Sequence, residues 1–187
     1  MKKILLLFIK YLWLIRTSFN FYIYGSYGIC NIVKRIPYPF IQIILKKYGA
    51  QIGKNCRIDT GLIIHRPDKK IPFKNLKISD DVYIGHNTLF DLTEQITVNK
   101  NVAIGAFCQF WTHTGNFKYN LNDNKDYHET RLPIEIKNNV IIYSGVIINN
   151  GVTIEENSRI GAGSLVLNNV EKNCFYAGVP AKKQSFI

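Results

Sequence analysis

Four histidines, His65, His86, His113 and His128, are the side chains of this chain best suited to moving a proton near neutral pH. His113 lies in the stretch FCQFWTHTGNFKYN, residues 107–120, between Thr112 and Thr114, where an otherwise regular sequence breaks. Held within hydrogen-bond reach, an imidazole can take the proton of a hydroxyl as that oxygen attacks, which makes His113 the first candidate for a general base. His128, in DYHETRLP, falls inside the interruption and is the second candidate. His86 follows a repeat glycine and reads as a turn residue facing a neighbouring subunit. His65, in IIHRPDKK, stands where the pattern lapses and reads as a surface or core residue. A three-histidine zinc site would call for paired HxxxxH spacing, which the chain lacks, so no metal is expected.

The element that must position His113 is a repeat of six. From residue 136 the chain divides into IKNNVI, IYSGVI, INNGVT, IEENSR, IGAGSL and VLNNVE. Each block opens on Ile or Val, crowds Asn or Gly into its third and fourth places, and has Val or Ser in its fifth. Similar blocks begin at Ile52, Ile58, Ile78, Ile84, Val98 and Ile104. A helix would space its apolar residues three and four apart, whereas strict sixes suit a short strand followed by a tight or left-handed turn. Three blocks then make one triangular coil with Ile or Val pointing inward, and stacked coils share one aliphatic core. The expected fold is all-β, a parallel β-helix over residues 49–187. With blocks at 98, 104 and 110, FWTHTG completes a coil and the next clean block waits until Ile136, so an excursion loop is expected over about 114–134 with His113 at its root.

These blocks resemble the hexapeptide-repeat acyltransferases that fold as left-handed β-helices, and the resemblance covers roughly residues 50–183. The stretch NNVIIYSGVIINNGVTIEENSRIGAGSLVLNNVEKNCFYAGVPAKK is similar to the galactoside and maltose O-acetyltransferases, with IGAGSLV and AGVPAKK its most specific parts. LKKYGAQIGKNCRI is similar to the entry of the helix in acetyltransferases of capsule and exopolysaccharide synthesis. The resemblance implies acetyl-CoA as co-substrate, a homotrimer with its donor groove between neighbouring prisms, and a histidine that acts as base without a covalent acyl-enzyme. His113 is the matching residue. It stands slightly earlier than the galactoside histidine, and its THT setting looks more like the polysaccharide branch.

Stacking arithmetic supplies further candidates. Phe90, Phe110 and Ile148 fall in one column, and Asp91, Trp111 and Asn149 in the next. Asp91 and Asn149 can bond sugar hydroxyls, and Trp111 offers a flat face to a pyranose ring. His128 would reach the acceptor from the loop. Gly105, Tyr143 and Gly161 form a row beside Ala106, Ser144 and Ala162, where small residues let a pantetheine arm approach the backbone. The resemblance assigns Ser144 and Ala162 to coenzyme A and Lys182 and Lys183 to its phosphates, and it expects glycine where Tyr143 stands.

Residues 1–48 read as a helical extension. The opening MKKILLLFIKYLWLIR has a basic start and an apolar run divided by Lys10, with no small-residue cleavage site after it and no run of about 20 apolar residues to span a bilayer. Its pattern suits a helix on a membrane surface, or one packed on the domain or a neighbouring subunit. Formal net charge is +11, and much of the excess lies in residues 1–57, where acids are all but absent. Anionic lipid fits that distribution better than nucleic acid, because the basic residues do not interleave with aromatics across the repeats. Cys30, Cys56, Cys108 and Cys174, without CxxC spacing, read as reduced structural residues in the cytosol.

The expected function is O-acetylation of a sugar in bacterial surface polysaccharide synthesis, at the inner face of the cytoplasmic membrane. N-acetylation of a nucleotide-linked amino sugar, or a non-catalytic membrane scaffold, are the alternatives.

Overall fold

The six-residue period builds three parallel sheets, one on each face of a prism, in a computed structural model that describes residues 2–117 and 127–186. The first face orders Gln51–Ile52, Leu76–Ile78, Ile96–Val98, Ile134–Ile136 and Thr153–Ile154. The second stacks Arg57–Ile58, Tyr83–Ile84, Ala103–Ile104, Ile141–Ile142, Arg159–Ile160 and Cys174–Gly178, with Ala181–Phe186 antiparallel at its edge. The third holds Ile63–His65, Leu89–Asp91, Gln109–Phe110, Ile147–Ile148 and Leu165–Val166. In most of these strands one residue faces outward and its neighbour is buried, so each coil delivers one aliphatic side chain per face to the core. On the second face, Ile58, Ile84, Ile104, Ile142 and Ile160 lie in register and are at most 1% exposed. Each such burial contributes about 1.5–3 kcal/mol relative to an exposed side chain. Phe90, Phe110 and Ile148 share a column as the spacing predicts, with the two rings 4.9 Å apart.

The corners are left-handed. Asn55, Asp81, Asn87, Asn101, Asn139, Asn157 and Asn173 hold φ between 55° and 60° at the fourth place of their blocks, while Gly145, Gly151 and Gly163 fill that place elsewhere. Only glycine, Asn and Asp adopt this conformation at low cost. At one corner Asn101, Asn139, Asn157 and Asn173 form a side-chain ladder, each amide donating to the next oxygen at 2.9–3.0 Å. Cys56, Cys108 and Cys174 occupy the buried fifth place, where most other blocks have Val or Ser, and all four cysteines are free and buried.

Both ends of the prism are covered. Helix α1 (Lys2–Val33) is broken at Gly25, whose φ of 62° and ψ of −152° are not helical. Beyond the break, Ile29, Cys30, Ile32 and Val33 join the core, and α2 (Phe40–Lys47) adds Phe40, Ile41, Ile44 and Leu45. The helical extension therefore shares one continuous core with the prism. Over Lys3–Val33, a stretch that includes the break, α1 has the length and apolar composition to cross a membrane, with little of its apolar window buried. It reaches that average although Lys10 and Arg16 interrupt it. At the other end, the antiparallel Ala181–Phe186 strand closes the second face against further pairing.

Of the excursion expected over 114–134, residues 118–126 lie outside the described residues. Their flanks form an antiparallel ribbon, His113–Phe117 against Tyr127–Arg131. The stack continues across it, Ile134–Ile136 pairing with Ile96–Val98.

Phe107 breaks the corner rule, holding φ at 60° with its ring 61% exposed. Phe107→Asn is expected to raise stability by about 1 kcal/mol, and Asn139→Ala to lower it by about 1–2 kcal/mol, in urea unfolding. Midpoints moving the same way in both variants would refute this account of the corners.

Candidate functional site

Three strand ends of the third face, carrying His65, Asp91 and the Trp111–His113 segment, meet at the corner from which the ribbon departs. Asp91 is fully buried. Its Oδ2 accepts from the Thr112 backbone N–H and hydroxyl, both at 2.9 Å, and its Oδ1 from the Thr93 hydroxyl at 2.7 Å. The Nδ1 of His113 lies 2.5 Å from Asp91 Oδ2. Burial alone would raise the Asp91 carboxyl, but the hydrogen bonds from His113, Thr93 and Thr112, together with the His113 charge, hold it below its ordinary value. The carboxylate is then ionised and can only accept, so Nδ1 of His113 must carry a proton, and Nε2 is the ring nitrogen left to exchange one with another molecule. This is the arrangement of an oriented base. The carboxylate expected at the acceptor surface is thus turned inward, and Asp91 positions His113 without facing a sugar.

His65 joins this group, which its place in a lapse of the pattern concealed. It pairs in register with Asp91, its ring stacks on that of His113 at 5.6 Å and 14°, and Trp111 meets it edge-on at 5.5 Å. Burial, with lesser help from His113 and Arg66, lowers the His65 pKa despite the pull of Asp91, so the stacked ring is neutral at pH 7. The offset from His65 to Asp91 equals that from Ile58 to Ile84, and counting it would have placed His65 here. Ligand atoms of His65, Asp91 and His113 lie within 4.8 Å of one another. Nearly parallel imidazoles aim their in-plane lone pairs side by side, and both Asp91 oxygens are engaged, so the group suits stacking better than chelation.

The acceptor candidates divide. Trp111 is half-buried against His65, its Nε1 donating to Gln109 Oε1 at 3.0 Å. Asn149 follows Ile148, whose carbonyl accepts from the Trp111 N–H, and so stands in the neighbouring coil at the same corner. In the ribbon the backbone of His128 faces Asn116, and its side chain lies outside the described residues. His86 sits at another corner, its Nε2 3.5 Å from the buried Asp59, which also accepts from Tyr83 and Arg57.

The predicted donor row does align. Gly105, Tyr143 and Gly161 each donate their N–H to the adjacent coil, at 2.7–3.0 Å. A Cβ on Gly105 would lie 2.6 Å from the Ser144 nitrogen, and one on Gly161 would lie 2.8 Å from the Ala177 Cβ, so both glycines are also required by coil packing. Tyr143 projects its ring outward, 45% exposed, and Ser144 and Ala162 are exposed. Lys183 is paired with Glu171 at 2.6 Å, whereas Lys182 is exposed. This row occupies the corner between the second and third faces, while His113 occupies the corner between the third and first. One chain does not bring the two together.

Comparison with known proteins agrees with this architecture. The family described as bacterial transferase hexapeptide (six repeats) matches residues 133–168. A galactoside O-acetyltransferase of Escherichia coli is 30% identical over 148 residues, 75% of this chain and 66% of that protein. The chain thus spans just under two thirds of that relative's length. Among solved structures, a hexapeptide-repeat acetyltransferase of Vibrio cholerae superposes with a TM-score of 0.74 at 21% identity, covering 86% of this chain and 88% of that one, and it has also been solved with acetyl coenzyme A. An N-acyltransferase of Bacillus cereus, in complex with dTDP and coenzyme A, gives 0.64 at 23%, covering 78% and 89%. These likenesses establish the fold as the left-handed β-helix of hexapeptide-repeat acetyltransferases.

Asp91→Asn is expected to cost about 3 kcal/mol, because it replaces a buried carboxylate whose oxygens are held by Thr93, Thr112 and His113. A carboxyl held below its unfolded value stabilises the fold fully above about pH 4 and loses that contribution as the pH falls through the lower folded value. The gap between wild type and Asp91→Asn in urea unfolding should therefore be constant near neutrality and close in acid. A gap that widens in acid would contradict the ionised carboxylate.

Proposed function

We propose that this chain, a bearer of the bacterial transferase hexapeptide repeat, is an acetyl-CoA-dependent O-acetyltransferase acting on a sugar hydroxyl in bacterial surface polysaccharide synthesis. The observation that carries the reading is the buried Asp91 carboxylate fixing the Nδ1 proton of His113, which leaves Nε2 as a base at a surface corner. His113 Nε2 takes the proton of the acceptor hydroxyl as its oxygen attacks the thioester carbonyl. The tetrahedral adduct collapses, the carbon–sulfur bond breaks, and the imidazolium returns the proton to the departing thiolate of coenzyme A. Asp91 stabilises the imidazolium while it exists.

Trp111, half-buried with its ring 6.4 Å from that of His113, supplies the flat surface for a sugar ring, and Asn149 and His128 extend that surface. The row of Gly105, Tyr143, Ser144, Gly161 and Ala162 receives the pantetheine arm, with Lys182 and Lys183 at its phosphates. Lys182 takes the larger share, since Glu171 already holds Lys183. Because base and row lie on different corners of one prism, the complete site forms between copies of the chain in a homotrimer. The N-terminal helix, basic without any acid and apolar on its outer face, holds the assembly at the inner face of the cytoplasmic membrane. An amine acceptor would use the same base, and the likeness to an N-acyltransferase solved with dTDP and coenzyme A favours a nucleotide-linked amino sugar as the second reading.

His113→Ala is expected to lower kcat by roughly 10²-fold to 10⁴-fold while leaving acetyl-CoA affinity in calorimetry unchanged. Asp91→Asn should lower kcat without raising the acceptor KM. Undiminished turnover by His113→Ala would end the reading, and light scattering that gives a monomeric mass for active protein would end its trimeric part.

A further inference from the structure

Beside His113 opens a cleft of about 510 Å³, lined by Tyr27, Arg66, Lys69, Lys74, Thr93 and Arg131 among others. It adjoins the base by three routes. The Thr93 hydroxyl bonds Asp91 and lies 3.4 Å from His113 Nδ1. Arg66 follows His65, whose ring stacks on His113. Arg131 stands opposite His113 in the ribbon. Four cations line the cleft against two acids, Asp68 and Glu129. Lys74 is paired with Asp68, and Arg66 and Arg131 share Glu129. A neutral sugar does not call for such an excess of positive charge, whereas a phosphate group does.

The far wall of the cleft is α1. Tyr27 lies just beyond the break at Gly25, and Ser26 Oγ is 2.6 and 2.9 Å from the carbonyls of Asp68 and Lys69, tying the helix to the cleft's rim. Before the break the helix exposes Ile4, Leu5, Phe8, Ile15, Phe19 and Tyr22, each at 58% or more. Its opposite side is occupied, with Lys47 bonding Ser18 and the Phe21 ring 5.3 Å from that of Tyr48. A helix that packs one side and leaves large apolar side chains exposed on the other presents these to an apolar phase. Lys3, Lys10 and Arg16 along it and Lys34 and Arg35 just after it supply basic charge, and no acid precedes Asp59, which complements anionic headgroups.

We propose that the acceptor is a glycan joined through phosphate to a long-chain membrane lipid, with its sugar at His113, its phosphate among the cations of the cleft and its lipid alongside α1. This rests on the acyl-transfer reading and names the acceptor class for that same site. The test uses the full chain with three vesicle preparations: phosphatidylcholine alone, phosphatidylcholine with phosphatidylglycerol, and phosphatidylcholine with C55 polyprenyl phosphate matched to the second in surface charge. Binding at least tenfold tighter to the polyprenyl phosphate vesicles than to the charge-matched ones is expected, with UDP-glucose failing to compete. Lys69→Glu should erase that preference while retaining binding to phosphatidylglycerol, and Lys69→Gln serves if the first variant melts early. Equal binding to the two anionic preparations, or loss of the preference to micromolar UDP-glucose, would overturn the proposal, the latter in favour of a nucleotide-linked acceptor. Acetyl-CoA calorimetry on the same protein reports the donor side separately: absent donor binding defeats the acyl-transfer reading, whereas intact donor binding without lipid-phosphate preference defeats this inference alone.

Discussion

Coil-to-coil register is the constraint on which the rest of this structure depends. A two-residue strand is too short to hold a position by itself. It holds because the strands above and below offer hydrogen bonds at one offset only, and because the corners admit few residues. Ile104 can lie over Ile84 and under Ile142 only if each intervening corner turns by the same amount. Asparagine and glycine at positive φ make that turn cheaply, and the ladder from Asn101 to Asn173 ties successive corners together.

Register in turn sets the chemistry. Asp91 ends a strand whose neighbours in the stack place His65 below it and the Trp111–His113 segment above. A carboxylate removed from water must find donors, and here they are two threonines and an imidazole. Satisfying the buried charge and orienting the imidazole of His113 are therefore one event. The basic cleft and the tethered helix lie beside the same corner, supported by adjoining coils.

Much of this was legible before any coordinates. The blocks of six located the faces, and their offsets aligned Phe90 with Phe110 and Gly105 with Tyr143. The offsets also marked the corner where His113 stands. What escaped was the direction of individual side chains. Asp91 is polar and adjacent to the expected acceptor surface, and nothing in a one-dimensional pattern distinguishes a carboxylate facing outward from one turned in to an imidazole. His65 escaped because its block is followed by the irregular stretch up to Asn75, which disguised a strand that continues the stack. Phe107 was equally opaque, since a large apolar residue in a left-handed corner contradicts the rule that identified the other corners. The outer face of α1 was visible as an apolar run, but Lys10 and Arg16 obscured how continuous that face becomes once the residues are wound on a helix.

The ribbon that leaves at His113 has one more consequence. Ile96–Val98 pairs with Ile134–Ile136 as though the chain between had never been spliced in. A solenoid whose layers bond only to their neighbours can accept a digression at a corner without passing strain to the next layer. The scaffold and the digression are thus separable: the first must keep its period or fail to fold, and the second can change in length and content while His113 stays anchored on Asp91. What leaves the prism at this corner is therefore free to vary where the prism itself is not.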